Sequence, residues 1–232
     1  MNVKELARKK KKKEEEGEEP EDDKGATLDL IGALAPLLAR GGDTRDEFRV
    51  TGIYGTLTEE RCMEAIYSLY ALRASGREIV LEDPDDPKSN LIEAYKPIQF
   101  LLSTYGGSAA DMFAVYDVMR EVQLSCDVVT HGHGKVMSAG VLLLAAGTKG
   151  QRVIGSNCRV MIHGVISGQH GNLFDVENEF EEAKTTQEKY IKALVRETNM
   201  KQTYIKKLLQ RKTNVYLSAQ ESVELGIADI IV

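Results

Sequence analysis

The sequence predicts an α/β fold with largely parallel strands, and three observations predict it. Strand-like and helix-like segments alternate along residues 46–232, the pattern of a sheet flanked by helices. The run from Ser138 to Gly147, SAGVLLLAAG, is apolar on every side, and such a helix belongs inside the molecule. The 232 residues suffice for one sizeable domain with a real core and an appendage.

The appendage comes first. Arg8 to Lys13 are all basic, and Glu14 to Asp23 are mostly acidic. Such blocks bury too little apolar surface to offset ordering entropy, so residues 1–45 are expected to form a charged extension, disordered or a frayed helix. Leu28 to Leu38 is a short apolar stretch within it, with no clean face. The acids beside the basic run nearly cancel its field, and the whole chain carries a net charge of −6. Both argue against nucleic acid as the main partner.

The folded domain is expected over residues 46–232. Phe48 to Ile53 reads as a strand. Thr58 is a helix N-cap, with Glu59 and Glu60 suited to the first turn. Met63, Ile66, Tyr67 and Tyr70 follow at helical spacing, and Gly76 is the stop. Glu82 to Asn90 is acidic, carries two prolines and reads as a surface loop. Ile98 to Leu102 is a buried strand running into Thr104-Tyr105-Gly106-Gly107, and a helix with Met112, Val115, Tyr116 and Met119 on one face comes next.

Val128 to His131 is another strand, with Gly132 and Gly134 expected to form a turn before the Ser138 helix. Arg159 to Ile162 is a strand ending at His163, and Gly164 to Gly171 a polar hairpin or loop. Asp175 to Thr198 is a long helix. Val176, Phe180, Ala183, Gln187, Tyr190, Ile191 and Leu194 fall near heptad spacing on it, a narrow face that suits a partner subunit better than a core. Ser218 to Glu221 is a capping box, and Gly226 the matching stop.

Several residues carry candidate chemistry. Ser138 stands at the first turn of an apolar helix. A serine there is either an ordinary N-cap or a nucleophile whose following N–H, that of Ala139, holds an oxyanion. His163 at a strand's carboxyl end is either a general base or a plain core or loop histidine. Gly106-Gly107 is either a turn or a place where a backbone N–H meets a substrate oxygen. His131 and His133 are close together, but no third ligand stands at a sensible spacing, so no metal is expected.

Cys62, Cys126 and Cys158 are far apart in sequence. They read as reduced thiols in a cytoplasm-like compartment. No run of eighteen apolar residues suggests a membrane span, and no apolar segment directly follows the basic run as in a secretory signal.

The combination of segments resembles the Clp protease proteolytic-subunit (ClpP) family. GHGKVMSAGVLLLAAGTKG, Gly132 to Gly150, is similar to the family's nucleophile region, with Ser138 in the nucleophile's place. RVMIHG, Arg159 to Gly164, is similar to the base segment, with His163 in the base position. Thr104-Tyr105-Gly106-Gly107 resembles the oxyanion loop, with tyrosine where proline is usual. By that match Gly107 and Ala139 supply the oxyanion N–H groups. Gly168 to Gly171 and the following helix resemble the handle through which two rings stack. LSAQESVELGIAD, Leu217 to Asp229, resembles the closing segment. The likeness covers roughly residues 47–232.

Three features depart from the family. Its third triad residue is an aspartate shortly before the LSA segment. Counting back from Leu217 places Asn214 there, and counting forward from the handle helix reaches Lys212. Asparagine orients a histidine but does not offset an imidazolium with full negative charge. The family's axial segment has no match in residues 1–45, and the loop over Glu82 to Tyr95 is longer than expected.

The resemblance implies a repeated ββα superhelix shared with the crotonase superfamily, and a protruding handle helix. It implies a serine endopeptidase without metal or organic cofactor, assembled as two stacked heptamers and cleaving unfolded polypeptide. Its partner would be an AAA+ unfoldase of the ClpX, ClpA or ClpC type. Three other readings stand beside this one. Asn214 favours a weakly active or inactive structural ring subunit. The amino-terminus permits a phage-type capsid-maturation relative. Paired oxyanion N–H groups would also serve a crotonase-type acyl-CoA enzyme, which needs neither Ser138 nor His163.

Overall fold

The structure is a computed structural model that describes residues 48–168, 170–210 and 214–232. The expected boundary near residue 46 and the charged extension over 1–45 lie outside these residues. Along the chain run β1 (Val50–Leu57), α1 (Glu59–Ser75), β2 (Arg77–Leu81), β3 (Leu91–Tyr95), β4 (Ile98–Gly107) and α2 (Ala109–Val122). Then come β5 (Val128–Met137), α3 (Ala139–Ala145), β6 (Val153–Ile154), β7 (Arg159–Ile162) and α4 (Leu173–Glu197). The chain closes with α5 (Gln202–Leu209), β8 (Val215–Leu217), α6 (Ala219–Glu224) and β9 (Ile230–Ile231).

The α/β architecture is as expected. A seven-stranded sheet runs β1-β4-β5-β6-β9, with β7 paired to β5 and β8 to β7. Its pairings are parallel apart from the antiparallel contact of β7 with β8. β2 and β3 form a separate antiparallel hairpin. It flanks the acidic segment Glu82 to Asn90, and its two strands escaped the sequence reading because that long connection is no tight-turn signal.

Local signals set the element ends. The Thr58 side chain accepts from the Arg61 N–H, and Gly76 closes α1. At α6 the Ser218 and Glu221 side chains each bond the other's backbone N–H, the expected capping box. β4 alternates buried and less buried residues, sending Ile98, Phe100, Leu102, Thr104 and Gly106 inward.

α3 is the centre of the core, and all seven of its residues are buried. It packs against β4, β5 and β7 and against α2 and α4. Burying each of Leu142, Leu143 and Leu144 contributes about 1.5–3 kcal/mol. Arg152 ties the surrounding ends together although only 3% exposed. It donates to the carbonyls of Ala145, Glu197 and Gly226 and to the Asp229 carboxylate. Those bonds are what make a buried guanidinium tolerable. Burial works to raise the Asp229 pKa, but the bonds from Arg152 outweigh it and leave the carboxyl below its ordinary value.

Three expectations are corrected. Gly132 and Gly134 do not form a turn, because β5 continues through them to Met137. There β5 exchanges neighbours, pairing β6 at His131 and Gly132 and β7 from Lys135 onward. Its register against β4 shifts in the same stretch, and Gly134 takes φ +64°, so the glycines serve a bulge. The strand from Ile98 does not stop at Leu102 but runs through the Gly106-Gly107 pair. The heptad-like face of α4 is only half free. Tyr190, Ile191 and Leu194 are buried in this chain's own core, whereas Val176 and Phe180 are exposed.

Candidate active site

Three strand ends converge. β4 ends at Gly107, β5 leads into Ser138, and β7 leads into His163. All three are parallel, so their carboxyl ends open on one edge, where α/β sheets gather their chemistry. Met137 pairs with Met161, so Ser138 and His163 leave adjacent strands one and two residues later.

Ser138 has φ 54° and ψ −120°, and it is the one non-glycine with positive φ among the described residues. An L-residue held there is strained and persists only where its surroundings over-determine it. They do so here. The Ser138 N–H donates to the Met161 carbonyl at 2.8 Å, and the Ser138 carbonyl accepts from the Val141 N–H at 3.0 Å. The same carbonyl accepts from the Tyr190 hydroxyl at 3.2 Å. Ser138 holds the N-cap position of α3, but its side chain makes no cap hydrogen bond. The ordinary N-cap role therefore does not account for the hydroxyl.

Gly106 lies hard against this serine. A Cβ there would sit 2.5 Å from Ser138 Cβ and 3.0 Å from its Oγ, at a φ of +92°. At Gly107 a Cβ would sit 2.2 Å from the Leu57 carbonyl oxygen. The two glycines are thus needed for different neighbours, the first for Ser138 and the second for β1.

Ser138, Ala139, His163, Gly106 and Gly107 line one cleft of about 470 Å³. Tyr105, Met112, Ile166 and Tyr190 line it too. Tyr105 also faces Lys135, whose ammonium lies 4.5 Å from its ring centre and 5.1 Å from that of Tyr54.

His163 Nδ1 hydrogen-bonds the Gly164 carbonyl oxygen. A carbonyl only accepts, so Nδ1 carries a proton, and in the neutral ring Nε2 then keeps its lone pair. That is the tautomer a base requires. Among the described residues no hydrogen bond joins Ser138 Oγ to His163, a bond that in unliganded sites often tightens only with substrate.

Asn214 is brought near in register but not into the cleft. Ile162 pairs with Val215 in the antiparallel ladder, so Asn214 stands at the next register position, opposite His163. It is exposed and is not among the cleft-lining residues. Lys212, the other candidate by counting, lies outside the described residues.

His131 and His133 stand apart from the cleft. Their rings stack 6.0 Å apart, and His131 Nε2 meets Gln99 Oε1 at 2.6 Å. Burial, then the neighbouring His133, lowers the His131 pKa. Among the described residues no group of three or more His, Cys, Asp or Glu side chains is placed to hold a metal. The three cysteines are free and buried.

The sequence reading missed the support behind the cleft. Tyr190 bonds the Ser138 carbonyl, and Gln187 Oε1 accepts from the Val165 N–H at 3.3 Å, just after His163. Both were read as a docking face, and their helical spacing alone held no sign of which surface they would meet. The Clp protease family model matches residues 89–232.

Proposed function

The chain belongs to the Clp protease family, and on that premise we propose that it is a ClpP-like serine endopeptidase. Ser138 is the nucleophile, His163 the base, and the Gly107 and Ala139 N–H groups the oxyanion donors. One observation carries this reading: a strained Ser138 with a hydroxyl unused for capping lines the same cleft as His163. In this chemistry Nε2 of His163 takes the Ser138 proton while Oγ attacks the peptide carbonyl. The leaving amine then receives that proton. Water, deprotonated by His163, releases the acyl-enzyme and restores the serine. No metal or organic cofactor is called on.

The family points to a ring assembly. We place this chain in two stacked heptamers with the repeated ββα superhelix, fed with unfolded polypeptide by an AAA+ unfoldase. The exposed apolar residues Leu173, Phe174 and Phe180 on α4 support its use as a handle between rings. Among the described residues no helix is long and apolar enough to cross a membrane. A cytoplasmic location remains part of the proposal.

A second reading, a ring subunit with little activity, is favoured by the uncharged Asn214. One experiment decides between them. A fluorophosphonate probe is applied to the assembled protein, its mass checked by light scattering, and to Ser138→Ala and His163→Ala. Intact mass is expected to show one adduct per parent chain and none on either variant. An assembled parent that takes no adduct would establish the inactive-subunit reading instead.

A further inference from the structure

Tyr190 comes from α4 and is 5% exposed, yet its hydroxyl reaches the carbonyl of Ser138 at 3.2 Å. That carbonyl shares a peptide plane with the N–H of Ala139. The unit is rigid, and its C=O and N–H point in opposite directions. Whatever fixes the oxygen therefore aims the hydrogen. Val141 holds the same oxygen from within the turn, through its N–H at 3.0 Å. Among the described residues, Tyr190 is the holder that comes from another element.

We propose that Tyr190 is a positioning residue, whose hydroxyl fixes the Ser138–Ala139 peptide so that the Ala139 N–H points to where an oxyanion forms. The inference rests on the peptidase reading above and extends it to a residue outside the triad and the oxyanion loop. A hydrogen bond to the carbonyl also polarises the peptide and makes its N–H a better donor. Burial pushes the Tyr190 phenol pKa up, so the group stays a donor through the neutral range. Tyr190 lines the cleft as well, so its ring bounds the space that the acyl group enters.

A buried tyrosine hydroxyl usually finds some partner, so the test must separate aiming from mere satisfaction. Tyr190→Phe removes one oxygen and keeps the ring. The measurements are kcat and KM on a fluorogenic peptide, inhibition by a peptide boronate, melting temperature and assembly. A boronate becomes tetrahedral on the serine and presents an oxygen to the same N–H groups. The expected result is a fall in kcat of about tenfold, a fraction of the cost of deleting an oxyanion donor outright. Boronate binding should weaken by a similar factor, while KM, melting and assembly stay near the parent values.

Tyr190→Met, which fills the space with a flexible apolar chain, should show the same falls in kcat and boronate binding, whatever the loss of the ring does to KM. If Tyr190→Phe folds poorly, the Met variant decides, read per active site after titration. Parent-like kcat and boronate affinity, or a change confined to KM, would overturn the inference. Fluorophosphonate labelling of the parent is run alongside. A parent that does not label sinks the peptidase reading itself, whereas a parent that labels beside an unaffected Tyr190→Phe sinks only the role of Tyr190.

Discussion

Around Ser138 the backbone is held from three directions, by Met161, Val141 and Tyr190. Around His163 the support is thinner. Its ring is held by the carbonyl of the very next residue, and Gln187 steadies the loop two residues on. Asn214, opposite it in register, is exposed. The difference lies in where the partners come from. The serine turn is enclosed by β4, β7, α3 and α4, whereas the histidine stands where β7 leaves the sheet. The side of the cleft proposed to stabilise charge on the substrate is therefore preorganised, and the side proposed to move the proton is less so.

The largest effect should come from breaking the better-held side. Gly106→Ala forces a methyl group against Ser138 at a backbone angle alanine resists. Peptide hydrolysis should fall by about a hundredfold or more, the scale of losing one oxyanion contact. Fluorophosphonate labelling rates should drop with it. A variant that labels at the parent rate would mean that Gly106 and Ser138 do not meet as described.

Strengthening the weaker side is the opposite test. Asn214→Asp would set a carboxylate at the register position facing His163 and let it stabilise the imidazolium. Hydrolysis should rise by about tenfold, well within what a triad carboxylate contributes, while Asn214→Ala should change little. No rise in kcat/KM would place Asn214 out of reach of the ring. A smaller effect is expected from Gln187→Ala, which frees the Val165 N–H. We expect a loss of about threefold, in keeping with one neutral hydrogen bond, and with the melting temperature nearly unchanged. A loss as large as that of Gly106→Ala would show that the histidine side is held as tightly as the serine side.

The unequal support also explains how legible each part was. Ser138 and His163 could be picked out because short segments carry them, an all-apolar helix behind one and a β-type run before the other. The caps at Thr58 and Ser218 were equally local. Asn214 was less legible, because counting back from Leu217 and counting forward from α4 reach different residues. The heptad-like face of α4 misled for a physical reason. Periodicity reveals that one stripe is apolar, not whether the surface covering it belongs to the same chain.

What the sequence by itself determined is the alternation of strands and helices, the burial of α3 and the capped helix starts. Each follows from propensity and hydrophobic pattern within about ten residues. Only the tertiary structure decided that β5 changes neighbours at Gly132 to Gly134 rather than turning. The same holds for the contact of Gly106 with Ser138, and for the reach of Tyr190 across fifty-two positions to the serine carbonyl. These are close approaches between distant segments. Their geometry is set by how the sheet and helices pack, and no local pattern of residues encodes it.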